Sequence, residues 1–216
     1  MSKVKFGSAR ISETGGINGA KGDQKNGNEV SIQDFYMSSK GWICLRAKDE
    51  REAFKLAQAM EDACNNDPYL GYGQNDRLDI IIQVKAGKKL KVINVPTNCD
   101  CSSLVRACII EAMGIDVGNF NTSSEVDCLM KSGKFTKETI NSERDCKIGD
   151  ILVTKTKGHT VICVDGYSRS ARSLEIIAQE VIEGKWGNGE ARREKLASAG
   201  YNYLEVQRIV NTLLKR

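Results

Sequence analysis

One stretch constrains this chain more than any other: residues 97–114, from Thr97-Asn98-Cys99-Asp100-Cys101-Ser102-Ser103 to Gly114. It reads as a loop running into a helix. Leu104, Val105, Cys108, Ile109, Ala112 and Met113 recur at helical spacing and give the helix one apolar face. Gly114 supplies the stop. Asp100 and the two serines are residue types that cap a helix start. Cys101 therefore falls at or just before the first turn, where backbone N–H groups are unpaired and carry partial positive charge. Such a place favours thiolate over thiol and offers donors to an oxyanion forming beside the sulfur. Against this stands the ordinary behaviour of cysteine as a small buried hydrophobe.

A nucleophilic thiol needs a base, and the chain holds one histidine. His159 lies in Gly149-Asp150-Ile151-Leu152-Val153-Thr154-Lys155-Thr156-Lys157-Gly158-His159-Thr160-Val161-Ile162-Cys163-Val164-Asp165-Gly166, which reads as two β-branched-rich strands joined by a short turn. His159 opens the second strand. A structural histidine more often sits mid-strand among apolar neighbours.

Asp-Cys-Ser-x-Leu-Val opening a helix, followed by Gly-Asp-Ile-Leu-Val and Gly-His-Thr-Val, resembles the NlpC-type cysteine peptidases and their CHAP relatives. These are papain-like folds that cut peptidoglycan. Ser103 stands where the family usually has a glycine. The resemblance implies an α+β catalytic domain with Cys101 as nucleophile and His159 as general base. It also implies a third polar residue orienting the imidazole from the strand after the histidine. Here the chain leaves for a linker at that place. Asp165 lies six positions along from His159, roughly 20 Å on an extended strand. The N-terminal residues Asp23 and Gln24, ahead of Glu29, are then the expected third members.

Composition narrows the rest. The chain has 216 residues, 40% hydrophobic and 28% charged, enough for one domain and a small extra module. A net charge of +4 does not call for nucleic acid and suits an anionic wall polymer. Eight cysteines without a C-x-x-C, and one histidine already assigned, argue against zinc. The start, Met1-Ser2-Lys3-Val4-Lys5-Phe6, is not a secretory signal, so reduced cysteines in a protein made in a host bacterial cytoplasm and released to the wall are expected. No cofactor, no metal and no membrane insertion are expected; oligomeric state is left open.

Residues 1–30, rich in Gly, Asn and Lys, read as a loop or hairpin. The segment Gly22-Asp23-Gln24, then Gly27 and Glu29-Val30, resembles the start of a set of phage lysins, with one residue more between Gln24 and Glu29. Trp42–Arg46 reads as a strand and Asp49–Asn65 as a capped helix. Gly71-Tyr72-Gly73-Gln74-Asn75-Asp76-Arg77 matches a motif of the same lysins. By that resemblance Tyr72 is either a substrate contact or a loop-packing residue. A short helix is read around Val126–Met130, and residues 132–146 read as polar surface.

Residues 167–172 read as a linker, and three short helices follow in 173–216. Ile177-Ala178-Gln179-Glu180-Val181-Ile182-Glu183-Gly184-Lys185-Trp186-Gly187-Asn188-Gly189-Glu190, with Ala199-Gly200-Tyr201-Asn202-Tyr203 beyond, resembles the Cpl-type cell-wall-binding repeat of phage lysozymes. Trp186 and Tyr201 are either ligand contacts or the bundle's own core.

The sequence thus reads as a phage-type endolysin. Residues 1–166 are a papain-like NlpC/CHAP-type hydrolase acting on an amide of bacterial peptidoglycan, as stem-peptide endopeptidase or N-acetylmuramoyl-L-alanine amidase, and residues 173–216 hold it on the wall. The rival readings are a non-catalytic wall-binding protein and an acyl transferase on the same fold.

Overall fold

The computed structural model describes residues 4–23, 28–66, 68–167 and 174–215. Its centre is a sheet built from β1 (Lys5–Ala9), β2 (Val30–Asp34), β3 (Trp42–Ala47), β6 (Phe135–Thr139), β7 (Ile151–Thr154) and β8 (Thr160–Asp165). The order is β2-β1-β8-β7-β3-β6 and every pairing is antiparallel. β7 and β8 lie mid-sheet, and Ile151–Val153 and Val161–Cys163 are fully buried. That is why they read as continuous apolar runs rather than alternating ones.

Two helices cover one face: α1 (Glu50–Cys64) and α3 (Cys101–Met113). Between them and the sheet lies the main core, with Leu45, Leu56, Met60, Leu104, Ile109 and Ile162. The other face carries a smaller core of Val4, Phe6, Trp42, Leu152 and Val161, closed by Phe35. A second, two-stranded parallel sheet joins β4 (Leu70–Tyr72) to β5 (Thr97–Cys99), with α2 (Asp79–Lys85) in the connection. α4 (Glu125–Lys131) precedes β6. The fold is α+β, as the sequence implies.

One expectation changes. The stretch read as polar surface contains β6, an edge strand on β3 with Phe135 buried and Thr136 and Glu138 half-buried. Its exposed Lys137 and Thr139 made it look like loop. The N-terminal segment forms the hairpin that is one of its two readings, β1 pairing antiparallel with β2, and β1 also takes an interior place beside β8.

The Gly-Asp-Ile-Leu-Val run holds the sheet together. Asp150 is fully buried and takes Arg46 of β3 in a two-point ion pair, Nε to Oδ1 at 2.9 Å and Nη2 to Oδ2 at 2.7 Å. Gly149 has φ of 75°, and a Cβ there would lie 2.0 Å from the Ala53 carbonyl oxygen of α1, so only glycine lets this turn pass under the helix.

Beyond residue 173 stand α5 (Leu174–Ile182), α6 (Gly189–Ser198) and α7 (Tyr203–Leu213) around Ile177, Val181, Leu196, Val206 and Val210. α6 rests on α1. Ala197 packs on Phe54, Ala57 and Ile148, Arg193 pairs with Glu61, and Asn202 Nδ2 donates to Asp165 Oδ1 at 2.5 Å. Asp165 therefore faces the helical module. Of the linker, residues 168–172 lie outside the described residues.

Candidate active site

Asp100 is the N-cap of α3. Its Oδ1 accepts from Ser103 N at 2.7 Å, while Ser103 Oγ accepts from Asp100 N at 2.9 Å. This reciprocal box accounts for the serine in place of the usual glycine. Arg77 then locks the cap. Its Nε donates to Asp100 Oδ2 at 2.5 Å, Nη2 to Ser102 Oγ at 2.8 Å and Phe120 O at 2.7 Å, and Nη1 to Asn119 Oδ1 at 2.9 Å. The arginine of the Gly-Tyr-x-Gln-x-x-Arg motif thus fixes the helix start from outside.

Cys101 is the first residue of α3 and is 8% exposed. Backbone N–H groups of Ser102 and Thr160 face its sulfur. Thr160 directly follows His159, so the structure brings the helix start and the start of β8 together. Burial, then Asp100 and Glu125, nevertheless push the thiol up to about 12. The helix start alone does not hold a thiolate here. Desolvation, then the Arg10 charge, push His159 down to about 4. Between those values thiol and imidazole are both neutral, and the imidazole is free to take a proton. The cap uses the N–H groups of Ser103 and Leu104, which leaves those of Cys101 and Ser102 as first-turn donors toward an oxyanion.

The other cysteines differ. Cys99 and Cys108 are fully buried, and burial pushes their thiols far above the ordinary range.

Tyr72 sits beside this site. Its backbone N–H donates to Glu29 Oε2 at 2.7 Å, and its hydroxyl accepts from Gln74 Nε2 at 3.1 Å. Burial raises its hydroxyl's pKa, and Cys101 is among the groups acting on it. The N-terminal segment is tied beneath the same loop. Asn98, fully buried, accepts from Gly22 N at 3.0 Å and donates to Ala20 O at 3.2 Å.

Asp23 and Glu29, two of the residues expected within reach of the imidazole or of the oxyanion site, are bound to each other and to the Tyr72 loop. Asp23 Oδ2 accepts from Glu29 N at 3.3 Å, and Glu29 supports Tyr72. Both stay with the β4–β5 layer because Gly22 is pinned by Asn98 and Asp23 N by the Pro68 carbonyl. Gln24 lies outside the described residues. The N-terminal charge acting on His159 is Arg10, just past the end of β1, which adds to the larger effect of burial in keeping the ring neutral.

Sequence reasoning missed three residues: Arg77, Arg10 and Glu125. Arg77 had a signal in its motif. Glu125 had none, because an acid in a first helical turn is usually a solvated one.

In the C-terminal module Trp186 and Tyr201 meet edge to face with centroids 5.8 Å apart. Tyr201 is 4% exposed and belongs to the core, so it offers no face to a ligand. Trp186, whose Nε1 donates to Glu180 Oε2 at 3.1 Å, is only partly buried.

With this geometry in place, the comparisons define the class. The endolysin-like domain family matches residues 6–170, and the chain belongs to that family. Residues 175–214 match the CW_7 repeat. A curated relative, the lysozyme of Streptococcus phage Cp-7, is 51% identical over 42 residues, 19% of this chain and 12% of that protein. The chain thus spans about an eighth of that relative's length. No solved structure matches.

Proposed function

We propose that this chain is a cysteine-dependent peptidoglycan hydrolase of the NlpC/CHAP kind, with a C-terminal wall-binding module. One observation carries the reading: of eight cysteines, Cys101 alone stands at a helix start against the strand opened by the chain's one histidine. Cys101 Sγ attacks an amide carbonyl while neutral His159 takes the thiol proton. The N–H groups of Cys101 and Ser102 receive the oxyanion. Collapse expels the amine, which takes the proton from His159, and water, deprotonated by the same ring, hydrolyses the thioester. Starting from a neutral pair, proton transfer accompanies attack. Tyr72 borders the site as a substrate contact. The module, with Trp186 at its surface, raises the enzyme's local concentration on the wall.

The family match and the CW_7 match both support a wall substrate. The bond is an amide of the stem peptide or the link between N-acetylmuramic acid and L-alanine. Digestion of purified peptidoglycan with mass analysis of the new ends tests this. New stem-peptide amines mark an endopeptidase, and free lactyl carboxylate marks an amidase. New reducing sugar ends, or full activity in Cys101→Ala, would overturn the mechanism.

A further inference from the structure

Glu125 is a charged-type side chain placed where a charge is costly. It is fully buried, in the first turn of α4. Its Oε1 accepts from Thr160 Oγ1 at 2.8 Å, and its Oε2 is buried without a partner among the described residues. Thr160 is also fully buried and carries the backbone N–H that faces Cys101 Sγ. A chain of contacts therefore runs from the Glu125 carboxyl to the Thr160 hydroxyl, through one residue's backbone, to the sulfur and to His159.

We propose that Glu125 is a positioning residue for the nucleophile: through Thr160 it fixes the start of β8 against Cys101, and it does so as an uncharged acid. The proposal rests on the assignment of Cys101 as nucleophile. The elements around α4 carry few charges that compensate a carboxylate. β3 holds Arg46, engaged by Asp150, and β6 holds Lys137 and Glu138. The turn before β8 holds Lys157, whose Nζ donates to Ser123 O at 3.0 Å, and then His159, kept neutral. From α3 come Cys101 and the Asp100 carboxylate, and Asp100 is the charge acting on Glu125. Burial and Asp100 push Glu125 up to about 8. An ionised Glu125 would put a second negative charge beside the forming thiolate, so the site weakens as this acid loses its proton.

The test reads the thiol directly. Alkylation of Cys101 by iodoacetamide is followed by peptide mass mapping in the full chain from pH 6 to 9.5, beside peptidoglycan turnover. Thr160→Val and Glu125→Ala should slow Cys101 alkylation at pH 7 about tenfold. Glu125→Gln, which keeps the acceptor for Thr160, should recover to within about threefold of the parent. The parent should lose turnover above pH 8, and Glu125→Gln should not. Parental alkylation in Thr160→Val, or an alkaline fall unchanged in Glu125→Gln, would overturn the proposal. Turnover that survives Cys101→Ala would instead sink the nucleophile assignment, while the alkylation rates still report on Glu125.

Discussion

Arg77→Lys is the sharpest perturbation of the helix start. The guanidinium makes four hydrogen bonds, one each to Asp100, Ser102, Phe120 and Asn119, with its side chain 17% exposed and that of Asp100 12%. Lysine keeps the charge and can follow one partner, so the remaining contacts are lost. A hydrogen bond to a charged group contributes about 1.5–3 kcal/mol, less where water can replace it. The loss for the variant should be about 3 kcal/mol, or a fall in melting temperature of about 6–12 °C for a domain of this size. Arg77→Ala should cost more, about 3–5 kcal/mol, because it strands the Asp100 carboxylate. Thermal unfolding by circular dichroism measures both. Asp100→Asn provides the control, since Asn caps as well as Asp. In that background Arg77→Ala should cost clearly less than in the parent. A fall under about 2 °C for Arg77→Lys, or strict additivity of Arg77→Ala with Asp100→Asn, would refute the clamp.

Two other outcomes follow from the same structure. Deleting residues 173–216 should weaken binding to whole walls more than tenfold while cleavage of small soluble fragments persists. It should also lower the melting temperature by a few degrees, because Phe54, Ala57 and Ile148 lose Ala197 and Glu61 loses Arg193; co-sedimentation with walls and a thermal melt measure the two effects. His159, pushed down to about 4, must gain a proton on unfolding below its ordinary value of 6.5. Its contribution is therefore full above pH 6.5 and is lost as pH falls through 4, up to about 3 kcal/mol in all; in urea titrations from pH 7 to 4 the parent should lose about 3 kcal/mol more stability than His159→Gln.

How much of this was legible beforehand depends on the range of the interaction involved. Periodicity alone placed α1, α3 and the C-terminal helices, because each buries a stripe set by its own sequence. The cap at Asp100 was legible for the same reason: box, cap and stop all lie within eighteen residues of chain. β6 was hidden because only Phe135 of its five residues is buried, so this edge strand resembles a polar loop. The site divides along the same line. Cys101 and His159 each carried a local sign, a helix start and a strand start. What surrounds them arrives from afar: Arg10 from the end of β1, Arg77 from the loop before α2, Glu125 from α4. For the expected third member, Gln24 lies outside the described residues, and the two carboxylates have a topological reason to sit elsewhere. The sheet does fill the place beside β8 from the N-terminus, with β1, but the carboxylates of that segment are pinned under Tyr72 by Asn98 and Pro68. The N-terminal charge felt at the imidazole is that of Arg10, which bonds to Gln33 and Ser31. Burial first and the Arg10 charge second hold the ring neutral, and neutrality is what the proposed mechanism asks of a base beside a protonated thiol.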